Sequence, residues 1–586
     1  MTDSKHNFII NFNVKKHRLL WSRLEFIVEY IFIILIGILA IVLWSIWNEH
    51  KQRKIIKSLL KKEWGKVSEE EYSSEKLESL KAFYQSTKNE RMDVDDITWN
   101  DIDMDDIYML INNTQSSIGE EYLYALLRKP CFSKEELEER NRLMKFFQDN
   151  EEQRILLQYE LFQIGKLTKI SIYEYINRLD EQEPKSNMPH YFMSFGLIFS
   201  LLLIFINPGL GGICTVIFAV NNIYQYYMKK AKIERFLTVF SYILRLLDSI
   251  RGILALDISE IKVYTDTLKH DAKVFKKFKK GSAILISKKV SGNLLDTFLD
   301  YIRMLFHIDL MKYHSMLSFL KSNRKILNRI YINVGFLDSM IAAASFRNTL
   351  EYYSEPILTK AKHPFISIAD LYHPLLDSPV PNSISEEQSV LITGSNASGK
   401  STFIKTLAIN TILSQTIFTS LSKSYKASYF QIYSSMALRD NILSNESYYI
   451  VEIKSLKRII DSLNEDVPTL CFIDEVLRGT NTLERIAASS RILASLAKSN
   501  TLVFAATHDI ELTHILEEYY SNYHFQERIS DNKILFDYKL FQGRAISKNA
   551  IKLLAMLGYS QNIIQNAEKA AEEFLLNGEW SKISGK

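Results

Sequence analysis

Three short stretches of this sequence carry residue types that together can handle a nucleoside triphosphate. In SVLITGSNASGKSTFIKTLAI (389–409), Gly394 and Gly399 bracket Ser395, Asn396, Ala397 and Ser398, and Lys400, Ser401 and Thr402 follow. Glycines let backbone N–H groups wrap phosphate oxygens, and a helix that starts there adds its partial positive end. Lys400 would reach the β- and γ-phosphates, and Ser401 would offer a hydroxyl to Mg²⁺. In TLCFIDE (469–475) an apolar run ends in Asp474 and Glu475, one acid to hold Mg²⁺ and its neighbour to orient or deprotonate a water. In TLVFAATHD (501–509) a third run ends in Thr507 and His508, placed to sense a γ-phosphate. Alone, His508 reads as well as a plain strand-end residue. In this order and spacing the three stretches imply an ATPase that uses ATP and Mg²⁺. Its catalytic residues would be Lys400, Glu475 and His508, and its metal ligands Ser401 and Asp474.

The elements that must position these residues follow from the pattern. Each motif sits at the C-terminal end of a short apolar run, the signature of a parallel strand buried on both faces, and an amphipathic helix follows the glycine loop. The expected C-terminal fold is therefore an α/β ATPase domain with the glycine loop between a strand and a helix.

The whole chain has 586 residues, room for three or four domains, with 47% hydrophobic and 24% charged residues and few Gly and Pro. That composition argues against extensive disorder. A net charge of +4 over this length does not by itself imply a nucleic-acid partner. Cys131, Cys214 and Cys471 form no CxxC pair, which suggests reduced thiols and no zinc site.

Two oily stretches suggest a membrane. Tyr30 to Trp47 is 18 residues without charge, flanked by Lys15, Lys16, Arg18 and Arg23 before and Lys51, Arg53 and Lys54 after. Tyr191 to Met228 is 38 residues without Asp, Glu, Lys, Arg or His. One helix of that length would measure about 57 Å, nearly twice a bilayer core. Asn207-Pro208-Gly209 offers a turn in its middle, tyrosines lie at its open end and Lys229, Lys230 and Lys232 follow. The expectation is a transmembrane helix over 26–48 and a transmembrane hairpin over 191–228. A buried soluble hairpin is the alternative for the latter. The chain would then be an integral, multi-pass membrane protein, with the lipid bilayer as a partner and the ATPase domain in the cytoplasm.

The motifs resemble those of the MutS family. The stretches TGSNASGKST (393–402), FIDEVLRGTNT (472–482) and FAATHDIELT (504–513) look like its ATPase domain, and the Arg478-to-Thr482 run after the acidic pair is particularly specific. LYHPLL (371–376) resembles the His-Pro turn leading into that domain. SYYIVEI (447–453) resembles the segment that meets a partner subunit's nucleotide, and 546–570 the helix-turn-helix dimerisation tail. Looser likeness extends to 101–130 and 336–356, so the resemblance covers roughly residues 100 to 575. It implies a mixed fold: a charged helical linker (49–99) after an N-terminal segment (1–25) and the membrane helix, a helical core (100–190) and a core and lever (229–360) interrupted by the hairpin. An α/β P-loop ATPase of the ABC type (361–545) and a helix-turn-helix dimerisation tail (546–586) would follow. It also implies a homodimer with ATP at its interface, where Ser447 and Asn481 act in trans. The family's mismatch-reading domain has no counterpart, and the chain's Phe-x-Glu, Phe525 to Glu527, reads as strand. The segment around Ser447, Asn445-Glu446-Ser447-Tyr448, departs from the family's pattern. The His-Pro turn and Phe365 are candidates to line the adenine pocket.

The resemblance further implies DNA as a partner, bound without sequence preference. The stretch 269–289 carries Lys269, Lys273, Lys276, Lys277, Lys279, Lys280, Lys288 and Lys289 with Phe275 and Phe278 interleaved. It suits nucleic acid, anionic lipid or a solvated helix face. The alternative function is an ATP-driven, membrane-associated machine acting on lipid or protein, without DNA.

Overall fold

In the computed structural model the described residues are 32, 36–37, 39–40 and 43–586, except 69, 182–185, 280–300, 396, 437–447, 479, 531–532, 546–550, 552–553, 555–557, 579, 581 and 584–586. They fall into two compact units, Met1–Trp64 and Gly65–Lys586. The first contains a helix over 43–63.

The second unit begins as packed helices whose starts are written in the sequence. Ser73, Ser116, Ser133 and Ser171 each accept a hydrogen bond from the backbone N–H three residues on, capping the helices Ser74–Thr87, Ser117–Arg128, Lys134–Asp149 and Ile172–Asn177. The long helix Arg324–Arg347 runs through them and is wholly buried from Leu337 to Arg347. Two buried carboxylates join it to its neighbours. Asp338 accepts from the Ser116 hydroxyl (2.6 Å) and from the N–H groups of Gln115 and Ser116 (3.0 and 2.9 Å). A Cβ at Gly119 would lie 2.2 Å from the same carboxylate, so that position tolerates only glycine. Glu121 accepts from Ser171 Oγ, Ile172 N–H, Tyr173 N–H and Tyr331 Oη at 2.7–3.3 Å.

The membrane expectations are not met. Among the described residues no helix is long and apolar enough to cross a membrane. The stretch 191–228 falls in two helices, Met188–Leu203 and Pro208–Ala255, with the turn at Asn207-Pro208 as the sequence suggests. At 16 residues the first spans about 24 Å, short of a bilayer's hydrocarbon core. The second does not stop at the lysines but continues for 48 residues, and its C-terminal half is buried among the other helices. Polar side chains stitch the pair inward: Asn222 Nδ2 donates to the carbonyls of Met193 and Leu305, and Ser194 Oγ to that of Phe306. Phe192, Phe195, Phe199, Phe205, Ile213 and Val216 remain exposed on its outer side. The expected membrane helix over 26–48 lies mostly outside the described residues, and its described end, 43–48, continues into the charged stretch to 63. The transmembrane parts of the expected fold, the multi-pass location and the bilayer partner are withdrawn accordingly.

The basic stretch is also corrected in part. Phe275 and Phe278 are buried against Phe319 and do not interleave with the lysines on a surface. Their i, i+3 spacing puts both on the inner face of one helical turn. Lys269, Lys273 and Lys276 are exposed, while 280–289 lies outside the described residues.

Ten strands follow. β1 (Ile357–Thr359), β2 (Ile366–Leu371), β3 (Asn382–Glu386) and β5 (Ser424–Ser428) form a small sheet in the order β1-β5-β2-β3. A six-stranded sheet has the order β10-β9-β4-β8-β7-β6, with β4 (Ser389–Thr393), β6 (Gln431–Ser435), β7 (Thr469–Asp474), β8 (Thr501–Thr507), β9 (Tyr520–Ser530) and β10 (Lys533–Gln542). All its pairings are parallel except β9–β10. β4 and β8 are buried along their whole length, as expected of apolar strands covered on both faces.

The helix after β4, Lys400–Thr416, is fastened at its far end by the helical region. Its final carbonyls have no partners within the helix. Cys131 N–H donates to Gln415 O (2.7 Å), Arg140 to Thr416 O (2.5 Å), and the buried Arg347 to Phe418 O (2.7 Å). Arg347 also donates to Asn141 Oδ1 and Thr419 Oγ1.

Candidate functional site

The parallel order β4-β8-β7 brings the three motifs to one edge of the sheet. Thr393 pairs with Thr507 and Asp474 with Ala506, so the glycine loop, the acidic pair and His508 all emerge at the strands' C-terminal ends. The loop depends on backbone that only its residues allow. Gly394 has φ 150° and a Cβ there would come within 2.7 Å of Phe525 O, while Gly399 has φ 108° where the helix begins. Ser401 and Thr402 are exposed on the helix's first turn, and Ser398 Oγ is buried without a hydrogen-bond partner among the described residues. Such a cradle, with an orphaned hydroxyl and a helix N-terminus, fits a chain of phosphates.

Lys400 Nζ donates to the carbonyls of Gly394 and Ser395 (2.9 Å each) and lies 3.4 Å from His508 Nε2. Burial pulls its ammonium below the ordinary range, opposed by the nearby charges of Asp474 and Glu475. Glu475 Oε1 is 2.9 Å from His508 Nε2 and Oε2 is 2.8 Å from Arg478 Nε. The hydrogen bond from His508 holds the Glu475 carboxyl below the usual range, with the charge of Arg478 adding to it, so Glu475 is an anion at neutral pH. Next to this group Arg485 grips Asp509 through two hydrogen bonds of 2.9 and 2.6 Å.

Other expected residues stand differently. Asn481 is the N-cap of the helix Thr482–Ala497, its Oδ1 accepting from Glu484 N–H at 3.1 Å. Asn396 and Ser447 lie outside the described residues, as does most of the start of the expected dimerisation tail; a helix, Gln561–Asn577, occupies its later part. Phe525 lies in β9, as its strand reading expects.

Sequence reasoning missed several neighbours. Glu527 Oε2 accepts from Ser395 Oγ at 2.8 Å. A cavity of about 360 Å³ opens beside the loop, lined by Tyr372, His373, Leu376, Phe403, Gly399 and Tyr538 among others. The His-Pro turn does line it, whereas Phe365 does not. Tyr538, at φ 53°, is 46% exposed and reaches within 3.3 Å of the Cβ position of Gly399. Nothing in the strand pattern of 533–542 marked it, because its proximity arises only when β9 and β10 fold back beside β4.

The fold and site together define an α/β domain with a glycine-rich strand–loop–helix that suits a nucleotide's phosphates. Residues 390–575 match MutS domain V. The chain is 32% identical over 266 residues to MutS protein homolog 4 of Mus musculus, covering 42% of this chain and 27% of that protein. It is 26% identical over 287 residues to the DNA mismatch repair protein MSH3 of Candida albicans (45% and 27%). It is also 26% identical over 277 residues to the DNA mismatch repair protein MutS of Thermotoga petrophila (45% and 34%). The chain thus spans about a quarter to a third of the length of these relatives, and its likeness to the MutS family is concentrated in its C-terminal part.

Proposed function

We propose that this chain is a MutS-like ATPase that binds ATP at the dimer interface, hydrolyses it and couples the cycle to DNA binding. The observation that carries this reading is the convergence of Lys400, Glu475 and His508 within hydrogen-bonding reach at the mouth of the glycine loop. The similarity of 390–575 to MutS domain V supports it.

In this reading the loop's N–H groups and Lys400 take the phosphates, which replace the two carbonyls that Lys400 now contacts. The cavity beside Gly399 accepts the base, with Tyr538 against its face. Ser401 and Asp474 would hold Mg²⁺, whose charge offsets that developing on the transferred phosphoryl group. Glu475, kept ionised by His508 and Arg478, accepts the proton of the attacking water. His508 faces the γ-phosphate, and Ser447 and Asn481 act on the partner's nucleotide. DNA would be held without sequence preference, the exposed lysines around 269–276 contributing salt-dependent affinity.

The test is ATP hydrolysis by the full chain with and without duplex, mismatched and branched DNA. Turnover that rises with DNA and disappears in Glu475→Gln supports the reading. Turnover indifferent to every DNA form rejects its DNA half, and nucleotide binding without any turnover rejects its enzymatic half. Neutralising Lys276, Lys277, Lys279 and Lys280 is expected to lower the salt dependence of DNA binding.

A further inference from the structure

The loop that carries Glu475 is held in an uncommon shape. Glu475 (φ 60°) and Leu477 (φ 57°) both sit in the left-handed region without being glycine. Such backbone is strained for a residue with a side chain and persists only where the surroundings enforce it. Glu475 N–H donates to Ala506 O at 3.0 Å, which secures the loop's first residue to β8. Ser489 Oγ donates to Val476 O at 3.2 Å. The next two N–H groups, of Leu477 and Arg478, both donate to one carboxylate, that of Glu452; the Arg478 bonds measure 3.1 and 3.3 Å.

Glu452 is 8% exposed and belongs to the helix Tyr448–Asp461. That helix starts directly after Ser447, so Glu452 lies about one and a half turns from the residue expected to reach a partner subunit. The far end of the helix is fixed: Arg458 pairs with Asp95 at 2.7 Å and donates to Ser434 O at the sheet edge. Nearer its start, Glu452 ties the helix to the loop that carries Glu475. Two N–H groups thus converge on one buried carboxylate; burial pushes the Glu452 carboxyl up, and these two bonds pull it back down.

We propose that Glu452 is a positioning residue for hydrolysis: by clamping the backbone of Leu477 and Arg478 it aims Glu475 at the phosphate loop and links that aim to the helix Tyr448–Asp461. A shift of this helix, as on engagement of a second subunit at its N-terminal end, would move the base relative to the water it deprotonates. Displacements of about 1 Å at such a group cost on the order of 100-fold in rate. The inference rests on the ATPase reading above.

The experiment uses the full chain with Glu452→Ala, Glu452→Gln and Glu475→Gln. It measures the Kd for a fluorescent ATP analogue, the single-turnover hydrolysis rate, and hydrogen exchange of the amides at 476–478. Glu452→Ala is expected to lower the rate by about 10- to 100-fold, to leave Kd within about twofold, and to speed amide exchange. Glu452→Gln keeps one acceptor oxygen and the same volume, and is expected to recover part of the rate while staying about threefold or more below wild type. A rate unchanged in both variants, or a parallel loss of rate and affinity in Glu452→Gln, overturns the proposal. If Glu452→Ala does not fold, Glu452→Gln carries the test: a rate reduced about threefold or more at constant Kd supports it, and an unchanged rate overturns it. If the wild-type protein hydrolyses nothing, the ATPase reading fails separately. Amide exchange then still decides whether Glu452 holds the loop, and unchanged exchange in both variants overturns that.

Discussion

Glu475 beside the glycine-rich loop and Glu121 in the helical region are both glutamates held by several donors, yet they are opposite in kind. Glu121 is 2% exposed and every one of its four donors is neutral. Burial outweighs those hydrogen bonds and pushes its carboxyl up to about 8. Glu475 is partly open to solvent and has His508 and Arg478 beside it, so its carboxyl is held down. The difference teaches what makes a carboxylate chemically available. A ring of neutral donors in a dry interior makes a structural joint, here tying the helix Ile172–Asn177 and the long helix Arg324–Arg347 to Ser117–Arg128. An imidazole hydrogen bond and a guanidinium at a solvent-facing edge hold a carboxylate ionised where water can reach it.

The sharpest break between the two is expected from Glu475→Gln. It should lower single-turnover hydrolysis about 1000-fold, roughly 4 kcal/mol of barrier, while leaving the melting temperature close to that of wild type. Glu121→Ala should do the reverse. It strands buried donors at a cost of about 3 kcal/mol in denaturant unfolding, with the rate per folded molecule unchanged.

A pH series sharpens the contrast further. Because the Glu121 carboxyl is raised in the folded state, the fold holds its proton more tightly than the unfolded chain does. Its contribution is full below the unfolded value near 4.5 and is lost as pH rises through about 8. Unfolding free energy should therefore fall by roughly 2 kcal/mol between about pH 5.5 and 7, and Glu121→Gln should flatten that slope. Glu475 has the opposite sign: its contribution is present above the unfolded value and is lost only as acid brings the pH down through its lowered folded value. The smallest effect is expected from Tyr538→Ala, which should weaken nucleotide binding about tenfold, near 1.4 kcal/mol, and leave the rate at saturation unaltered.

The same contrast explains what could be read in advance. That the glycine loop, Asp474, Glu475 and His508 share one edge of the sheet was legible because parallel strands restrict where such strand-end residues sit. Glu452, Glu527 and Tyr538 are ordinary residues of a helix and two strands, drawn in by pairings and packing that a linear pattern does not encode. The oily stretch 191–228 misled because a run without charge does not reveal where each helix ends. Nor does it show that His190, Ser194 and Asn222 turn inward. His190 Nδ1 lies 3.0 Å from His307 Nδ1 in that interior, and burial lowers His190 to about 4, so the pair is uncharged near neutral pH.

The fastening of the helix Lys400–Thr416 bears on where this protein can be divided. The residues matched to MutS domain V begin at 390, but the donors that finish that helix are Cys131, Arg140 and Arg347, far upstream. A fragment beginning at β1 would leave the carbonyls of Gln415, Thr416 and Phe418 without those donors, and would bare the apolar ground around them. The stretch that is recognisable by sequence is thus smaller than the piece able to stand by itself, and excision at its edge is expected to yield a sticky, poorly folded product.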